Sequence, residues 1–105
     1  MKYSVIFAKE AEKDVRGIFD YIAGTLGSRQ NAAAQIRRIE KRVNALAELP
    51  ERYPQYAEEP WRSRGLRVMP VDNFCVFYFV DGEAKTVFVL RIMYGKRDSE
   101  KALGE

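Results

Sequence analysis

The chain has 105 residues, of which 47% are hydrophobic and 31% are charged. A chain of this length can bury one core but not two, so we expect a single domain over residues 1–105. The formal net charge of +3 is too small by itself to indicate a nucleic-acid-binding protein. The excess lies late in the chain, because residues 60–97 carry seven basic side chains and only three acidic ones.

The chain has no histidine and a single cysteine, Cys75. A catalytic Ser/His/Asp or Cys/His arrangement needs a histidine base, and a structural zinc site needs several Cys or His ligands. We therefore exclude both and expect neither a metal nor a cofactor. One cysteine fits a reducing compartment. The apolar run in residues 1–7 is too short for a secretion signal, and no stretch approaches the ~18 apolar residues of a membrane span, so we expect a cytoplasmic protein.

The first segment predicts a strand followed directly by a helix. Residues 3–8 place Tyr3, Val5 and Phe7 at period two, and their β-branched and aromatic content is typical of a strand. From Lys9 onward the apolar residues lie on one face of a helix, in spite of Gly17: Ala11, Val15, Ile18, Phe19 and Ile22. We expect this helix to end near Gly24 and Gly27, because glycine favours helix ends.

A second helix is predicted from about Arg29 to Leu49. Ser28 can accept a hydrogen bond from a free amide at its start, and Pro50 cannot continue it. The two helices should therefore form a hairpin. Residues 50–64 contain three prolines and predict an irregular connection.

The rest of the chain predicts three strands, at residues 66–71, 74–80 and 86–93, with turns at Asp72-Asn73 and around Asp81-Gly82. Pro70 cannot donate to a sheet ladder, so its strand should lie at an edge. The order β-α-α-β-β-β predicts an α+β fold in which a helical hairpin packs on one face of a mostly antiparallel four-stranded sheet.

Cationic and aromatic side chains accumulate in the second half of the chain: Trp61, Arg62, Arg64, Arg67, Arg91, Tyr94, Lys96 and Arg97. Such a group can bind phosphates and stack bases, and RNA cleavage needs oriented cations with a general acid and base. In the alternative interpretation, Trp61 packs on the core, Arg91 pairs with a carboxylate and the others are solvated. Composition alone favours that alternative.

Several short segments, taken in order, resemble the RelE/ParE superfamily of type II toxins, also called plasmid-stabilisation proteins. They cover nearly the whole chain: residues 5–14, Leu49-Pro50, Tyr53-Pro54, residues 65–67, residues 73–78 and residues 91–98. The resemblance implies a toxin neutralised by a small antitoxin, whose C-terminal segment wraps over the helices and the sheet.

Two activities are known on this fold, and the resemblance separates them by residue. RelE-like members cut messenger RNA in the ribosomal A site with basic residues of the sheet and a C-terminal arginine and tyrosine, without a metal. ParE-like members inhibit DNA gyrase. Arg67 and Arg97 match basic RelE positions, but Cys75 stands where a second essential arginine is usual and Leu103 near the terminal tyrosine. Tyr94 matches a position where ParE-like sequences commonly have His or Tyr.

The sequence therefore favours a ParE-like gyrase inhibitor. A RelE-like mRNA interferase, with Arg67, Tyr94 and Arg97 as catalytic candidates, and a non-toxic assembly or repression module remain as alternatives. The binding candidates form one set: Arg62, Arg64, Arg67, Arg91, Tyr94, Lys96 and Arg97.

We expect the last five of these candidates to lie together at one end of the sheet, on a surface that the antitoxin covers or abuts. Strand alternation, however, places Arg91 on the face of Val87 and Val89, opposite Ile92 and Tyr94. A structural ion pair of Arg91 therefore stays open.

Overall fold

A computed structural model describes residues 2–95 and Leu103 of the chain. Its helices and strands follow in the predicted order: β1 (Ser4–Phe7), α1 (Lys9–Asp20), α2 (Arg29–Asn44), β2 (Arg67–Val71), β3 (Phe74–Asp81) and β4 (Thr86–Tyr94). The strands lie in the sheet in the order β1-β4-β3-β2. β1 is parallel to β4, and the other two neighbouring pairs are antiparallel. The predicted α+β fold is confirmed.

The helical hairpin begins and turns largely as its sequence predicts. α1 includes Gly17 and continues into a π-helical turn, Tyr21–Thr25. Gly27 then adopts a φ of +74°, which glycine reaches without the steric cost of a Cβ. The Ser28 hydroxyl accepts a hydrogen bond of 3.1 Å from the Asn31 amide, so the predicted cap of α2 is confirmed.

The predicted end of the second helix at Leu49 is wrong. α2 ends at Asn44, and two 3₁₀ turns follow, Ala45–Ala47 and Pro50–Arg52. Leu49 lies between these turns with a φ of 51°. A proline disfavours right-handed helical geometry in the residue before it, which accounts for the conformation of Leu49. The change from α-helix to a 3₁₀ turn at Ala45 lies outside the reach of Pro50.

The three C-terminal strands lie within one residue of their predicted bounds. β2 is an edge strand, as Pro70 predicts. Asp72 in the β2–β3 turn has a φ of 56°, a conformation that Asp tolerates better than most residues. In the β3–β4 turn, an Asp81 carboxylate oxygen accepts hydrogen bonds of 3.1 Å from the Glu83 and Ala84 amides.

The sheet has one face under the helices and a second face with a different cover. The helix face holds the larger core, in which α1 and α2 pack on alternate residues of all four strands. On the second face, Leu66, Phe77 and Leu103 form a smaller buried cluster beneath residues 54–66. The Trp61 indole N–H donates to the Leu103 carbonyl at 2.7 Å. The sequence did not predict this second cluster. None of the helices in the described residues is long and apolar enough to cross a membrane.

Tyr78 ties the sheet to the turn after α2. Its side chain is fully buried, and its hydroxyl donates to the Pro50 carbonyl at 2.6 Å. We expect Tyr78→Phe to lower the free energy of unfolding by about 1 to 3 kcal/mol, because the buried carbonyl loses its donor. Urea unfolding of the two proteins at pH 7 would measure the difference; equal midpoints and slopes would contradict it.

The same side chain predicts an alkaline loss of stability. Desolvation raises the pKa of Tyr78 from 10.0 to about 12. Below pH 10 both the folded and the unfolded state keep the proton. Between pH 10 and 12 only the unfolded state releases it, so the stability falls as the pH rises. We expect the difference in stability between the wild type and Tyr78→Phe to shrink over this range, and unfolding curves from pH 8 to 11 would test that.

Candidate functional site

A β-bulge in β4 changes the face on which its last residues lie. Phe77 is paired with Arg91, whereas the next residue of β3, Tyr78, is paired with Val89. Leu90 is therefore the extra residue on β4, and alternation is interrupted there. Ile92 consequently joins Val89 in the core under the helices. The prediction that Ile92 lies opposite Val89 is wrong, because a bulge cannot be seen in the alternation of a single strand.

Arg91 is held in an ion pair with Asp14 of α1. Its Nε and one terminal nitrogen donate to the two carboxylate oxygens at 2.8 and 3.0 Å. The Ile92 amide donates to the same carboxylate at 2.9 Å. The side chains of Arg91 and Asp14 are only 31% and 15% exposed. The hydrogen bonds to Asp14 raise the pKa of Arg91 above its ordinary value. This clamp fixes α1 to β4, as the ion-pair alternative predicted.

Arg67 is also engaged inside the protein. One of its terminal nitrogens donates to the Tyr53 carbonyl at 2.6 Å and to the Glu51 carbonyl at 3.1 Å. Both carbonyls belong to the segment that follows α2. The guanidinium therefore fastens this segment to the edge strand β2.

Arg62 and Arg64 lie on the connection that covers the second face of the sheet. The Arg64 guanidinium stands over the Trp61 ring, 5.3 Å from its centroid. Both arginines have exposed side chains. They lie close in sequence to Trp61, which donates a hydrogen bond to Leu103. Arg91, by contrast, is bonded to Asp14 of α1. The structure therefore attaches these cations to different parts of the fold.

Tyr94 forms a wall of an open pocket at the end of β4. Its ring is 59% exposed and meets Phe74 edge to face, with the centroids 5.5 Å apart. The pocket has a volume of about 320 Å³, and α1 contributes Lys13 and Gly17 to its lining. Tyr21 of the π-helical turn supplies a further aromatic wall. We call this cavity the Tyr94 pocket.

The structure does not bring Arg67 to Tyr94. Arg67 is paired with Tyr78 and Tyr94 with Phe74, four residues away along β3. At ~3.3 Å per residue the two rows are about 13 Å apart along the strand. The expectation that Arg67 and Tyr94 lie together at one end of the sheet is therefore wrong. Lys96 and Arg97 lie outside the described residues.

Cys75 lies on the second face in apolar surroundings. It packs with Phe77 and Met93 against the smaller cluster, and it lines a cavity of about 420 Å³ together with Tyr56 and Val68. In the described part of the chain, no three Cys, Asp or Glu side chains gather as metal ligands.

Sequence reasoning missed two groups that shape the site. Asp14 is one of them: it precedes Val15, which packs on the core, and its side chain is only 15% exposed. Tyr21 was not singled out, although it is exposed beside the Tyr94 pocket. A large aromatic next to the predicted end of a helix was the available signal for Tyr21.

Solved structures of similar shape come from toxin–antitoxin systems. A chain of the chromosomal ParDE system of P. aeruginosa has a TM-score of 0.73 and 21% identity, covering 90% of this chain and 98% of that one. A chain of the RelBE2 complex of Mycobacterium tuberculosis has a TM-score of 0.64 and 20% identity, covering 90% and 99%. A mutant of the E. coli toxin RelE in the free state has a TM-score of 0.65 and 18% identity, covering 97% and 93%. At these identities the likeness shows the fold alone.

Sequence comparison gives a more specific result. A search of curated proteins found no match. The model of one family, described as the ParE toxin of the type II toxin–antitoxin system parDE, matches residues 5–99. This match includes every strand and helix named above except Ser4 of β1, and it includes the segment through Arg97. The chain therefore belongs to the ParE toxin family of type II toxin–antitoxin systems.

Proposed function

We propose that this toxin acts in the cytoplasm, inhibits DNA gyrase and is neutralised by a cognate antitoxin. The observation that carries the choice of gyrase is the apolar setting of Cys75. An RNase of the RelE type would be expected to have an arginine at this position. Here the side chain packs with Phe77 and Met93 on the second face.

The hydrogen bonds of Arg67 and Arg91 also support gyrase inhibition over RNA cleavage. Charge stabilisation in RNA cleavage requires cations that point to where the negative charge develops. Arg67 donates to two backbone carbonyls and Arg91 to a carboxylate. These bonds inside the protein account for both guanidinium groups without a substrate.

For contact with the target we propose Tyr94, Lys96 and Arg97. Tyr94 has an exposed ring beside an open pocket, and the two cations follow it two and three residues later in the sequence. Tyrosine and arginine are enriched at the centres of protein interfaces, and lysine is more common at their rims. The remaining candidates, Arg62 and Arg64, are proposed to contact the antitoxin or solvent.

An antitoxin partner is supported by the comparisons, since two of the similar chains come from a ParDE system and a RelBE2 toxin–antitoxin complex. We propose that the antitoxin covers or abuts the end of β4. Bound there, it would keep gyrase from the Tyr94 pocket.

Induction of the chain in a bacterial host tests the target directly. We expect growth arrest, a DNA-damage response and intact transcripts, and we expect the purified toxin to inhibit supercoiling by gyrase. Co-expression of the adjacent gene should restore growth. Ribosome-dependent cleavage of transcripts with unaffected gyrase would instead establish the RelE-like mRNA interferase. Unchanged growth at verified expression, with no effect on gyrase or transcripts, would establish the non-toxic module.

The role of Tyr94 predicts a loss of function without a loss of stability. We expect Tyr94→Ala to weaken gyrase inhibition at least tenfold, corresponding to about 1.4 kcal/mol or more of binding, while the thermal midpoint changes little because the ring is largely exposed. Leu49→Ala is the matched control, since Leu49 is 74% exposed and lies far along the chain in the turn after α2. Equal inhibition by both variants would contradict the assignment.

A further inference from the structure

The two edges of the sheet are protected very differently. On β2, the Val68 amide donates outward to the Pro54 carbonyl at 3.1 Å. The Pro70 carbonyl accepts from the Arg42 guanidinium at 3.3 Å, and Pro70 has no N–H to offer. An incoming strand therefore meets an edge on which the Val68 amide and the Pro70 carbonyl are already bonded and Pro70 offers no donor. Such coverage is how proteins normally prevent pairing between edges.

The outer edge of β1 has no comparable cover from residues 2–95 or Leu103, the described part of the chain. Ser4 and Ala8 donate their amides inward to β4, at 2.8 and 2.9 Å. Backbone groups alternate in direction along a strand, so the amides of Val5 and Phe7 point away from the sheet. Among the residues that the structure describes, neither of these two amides has a hydrogen-bond partner.

The part of the β1 edge that is accessible to another strand is short, because other parts of the chain bound it at both ends. The Tyr3 amide, which also points outward, donates to the Ala47 carbonyl at 2.9 Å. At the other end the chain turns into α1 at Lys9. The stretch available to another strand is therefore Val5–Phe7, which we call the β1 window.

A row of apolar side chains on the second face extends from β3 to the β1 window. Phe79 is paired with Phe88, and Phe88 with Ile6 on the edge strand. Phe88 and Ile6 are 43% and 47% exposed, unusual for large apolar residues in the middle of strands. An added strand would extend this row and remove part of it from water.

We propose that the β1 window pairs with the β1 window of a second copy of this chain in antiparallel orientation. With Val5 opposite Phe7 of the partner subunit, each of the two residues satisfies the outward N–H and C=O of the other. A two-fold axis then passes beside Ile6, which meets the partner's Ile6 in a non-hydrogen-bonded pair. The two copies of the window have the same length. Each is bounded by the Tyr3–Ala47 hydrogen bond at one end and by the start of α1 at the other.

Charge at the two ends of the window fits the same orientation. Lys2 precedes the window and Glu10 follows it, and both side chains are exposed. Antiparallel pairing centred on Ile6 brings Lys2 of one subunit toward the partner's Glu10, twice in the dimer. A parallel arrangement would instead bring like charges together. The paired surface is small, so the association should be weak and depend on concentration.

Sedimentation of the purified full chain over a wide concentration range tests the proposal. We expect reversible dimerisation that Ile6→Lys abolishes, since two like charges would then face each other across the axis. Leu26→Lys is the matched control, because Leu26 is also an exposed aliphatic residue and lies at the helical hairpin. Circular dichroism should show both variants folded. A chain that is monomeric throughout, or an Ile6→Lys variant that dimerises normally, overturns the proposal.

A charge exchange separates pairing of two copies from other effects. At low salt we expect Lys2→Glu and Glu10→Lys each to weaken dimerisation by about threefold to tenfold, and the double variant to regain the wild-type affinity. Additive weakening in the double variant contradicts the orientation. If the chain stays monomeric and Ile6→Lys instead loses binding to the antitoxin, the edge receives the antitoxin and the proposed dimer is wrong.

An engineered crosslink gives a positive test of the register. In a Cys75→Ser background, Ile6→Cys should form an intersubunit disulfide on mild oxidation, because non-hydrogen-bonded pairs place their Cα atoms ~4.5 Å apart, within disulfide range. Leu26→Cys in the same background should remain largely reduced. Equal crosslinking of the two variants contradicts the register.

Discussion

Replacing Arg91 with alanine is expected to lower the free energy of unfolding by about 2 to 4 kcal/mol. Among the described residues, the change leaves the Asp14 carboxylate, which is only 15% exposed, with the Ile92 amide as its remaining hydrogen-bond donor. Removing one partner of a largely buried pair leaves a desolvated charge without compensation, which is costly. The range lies below that of fully buried pairs because Arg91 itself keeps 31% of its side chain in contact with water. Denaturant unfolding at neutral pH would measure the effect.

Arg38→Ala provides the matched control for the clamp. Arg38 also forms an ion pair with an aspartate, Asp72, with the Nε–O distance at 2.9 Å, but the two side chains are 55% and 44% exposed. Exposed pairs typically contribute at most about 1 kcal/mol. The loss in Arg38→Ala should therefore be clearly smaller than in Arg91→Ala. Equal losses would show that the Arg91–Asp14 contact has no special role in holding α1 to β4.

The parts of the fold that local pattern determines were predicted well. The helix start at Ser28 depends on one side chain and one amide, and the edge position of β2 depends on the missing N–H of Pro70. Such signals lie within a few residues of the feature that they specify. The order of these elements then leaves few ways to cover the sheet.

The parts that were missed depend on contacts between distant segments. The β4 bulge at Leu90 is visible only in the pairing of β4 with β3. Asp14 lies 77 residues from Arg91, the arginine that it binds. Leu103 reaches the second face through Trp61, 42 residues earlier. No periodicity within one segment encodes these pairs. For the site this means that residue type gives the candidate cations, but only the structure shows which of them are engaged inside the protein.

Arg67→Ala is expected to separate the structural role of this arginine from a catalytic one. Its guanidinium donates to the carbonyls of Glu51 and Tyr53, so we expect a loss of about 2 kcal/mol in the free energy of unfolding. At a temperature where the variant stays folded, its inhibition of gyrase should remain within about twofold of the wild type, because the altered contacts hold the segment after α2 and not the Tyr94 pocket.

The RelE-like alternative gives the opposite result for the same variant. If Arg67 stabilises charge in RNA cleavage, its removal should reduce the cleavage rate by about two to three orders of magnitude even in fully folded protein. Arg67→Lys sharpens the comparison, since lysine keeps the charge but has a shorter side chain and lacks the guanidinium whose terminal nitrogen reaches both carbonyls. A structural role predicts intermediate stability and normal inhibition for the lysine variant. Loss of toxicity in both variants at wild-type stability would overturn the structural role and return Arg67 to the target-facing residues.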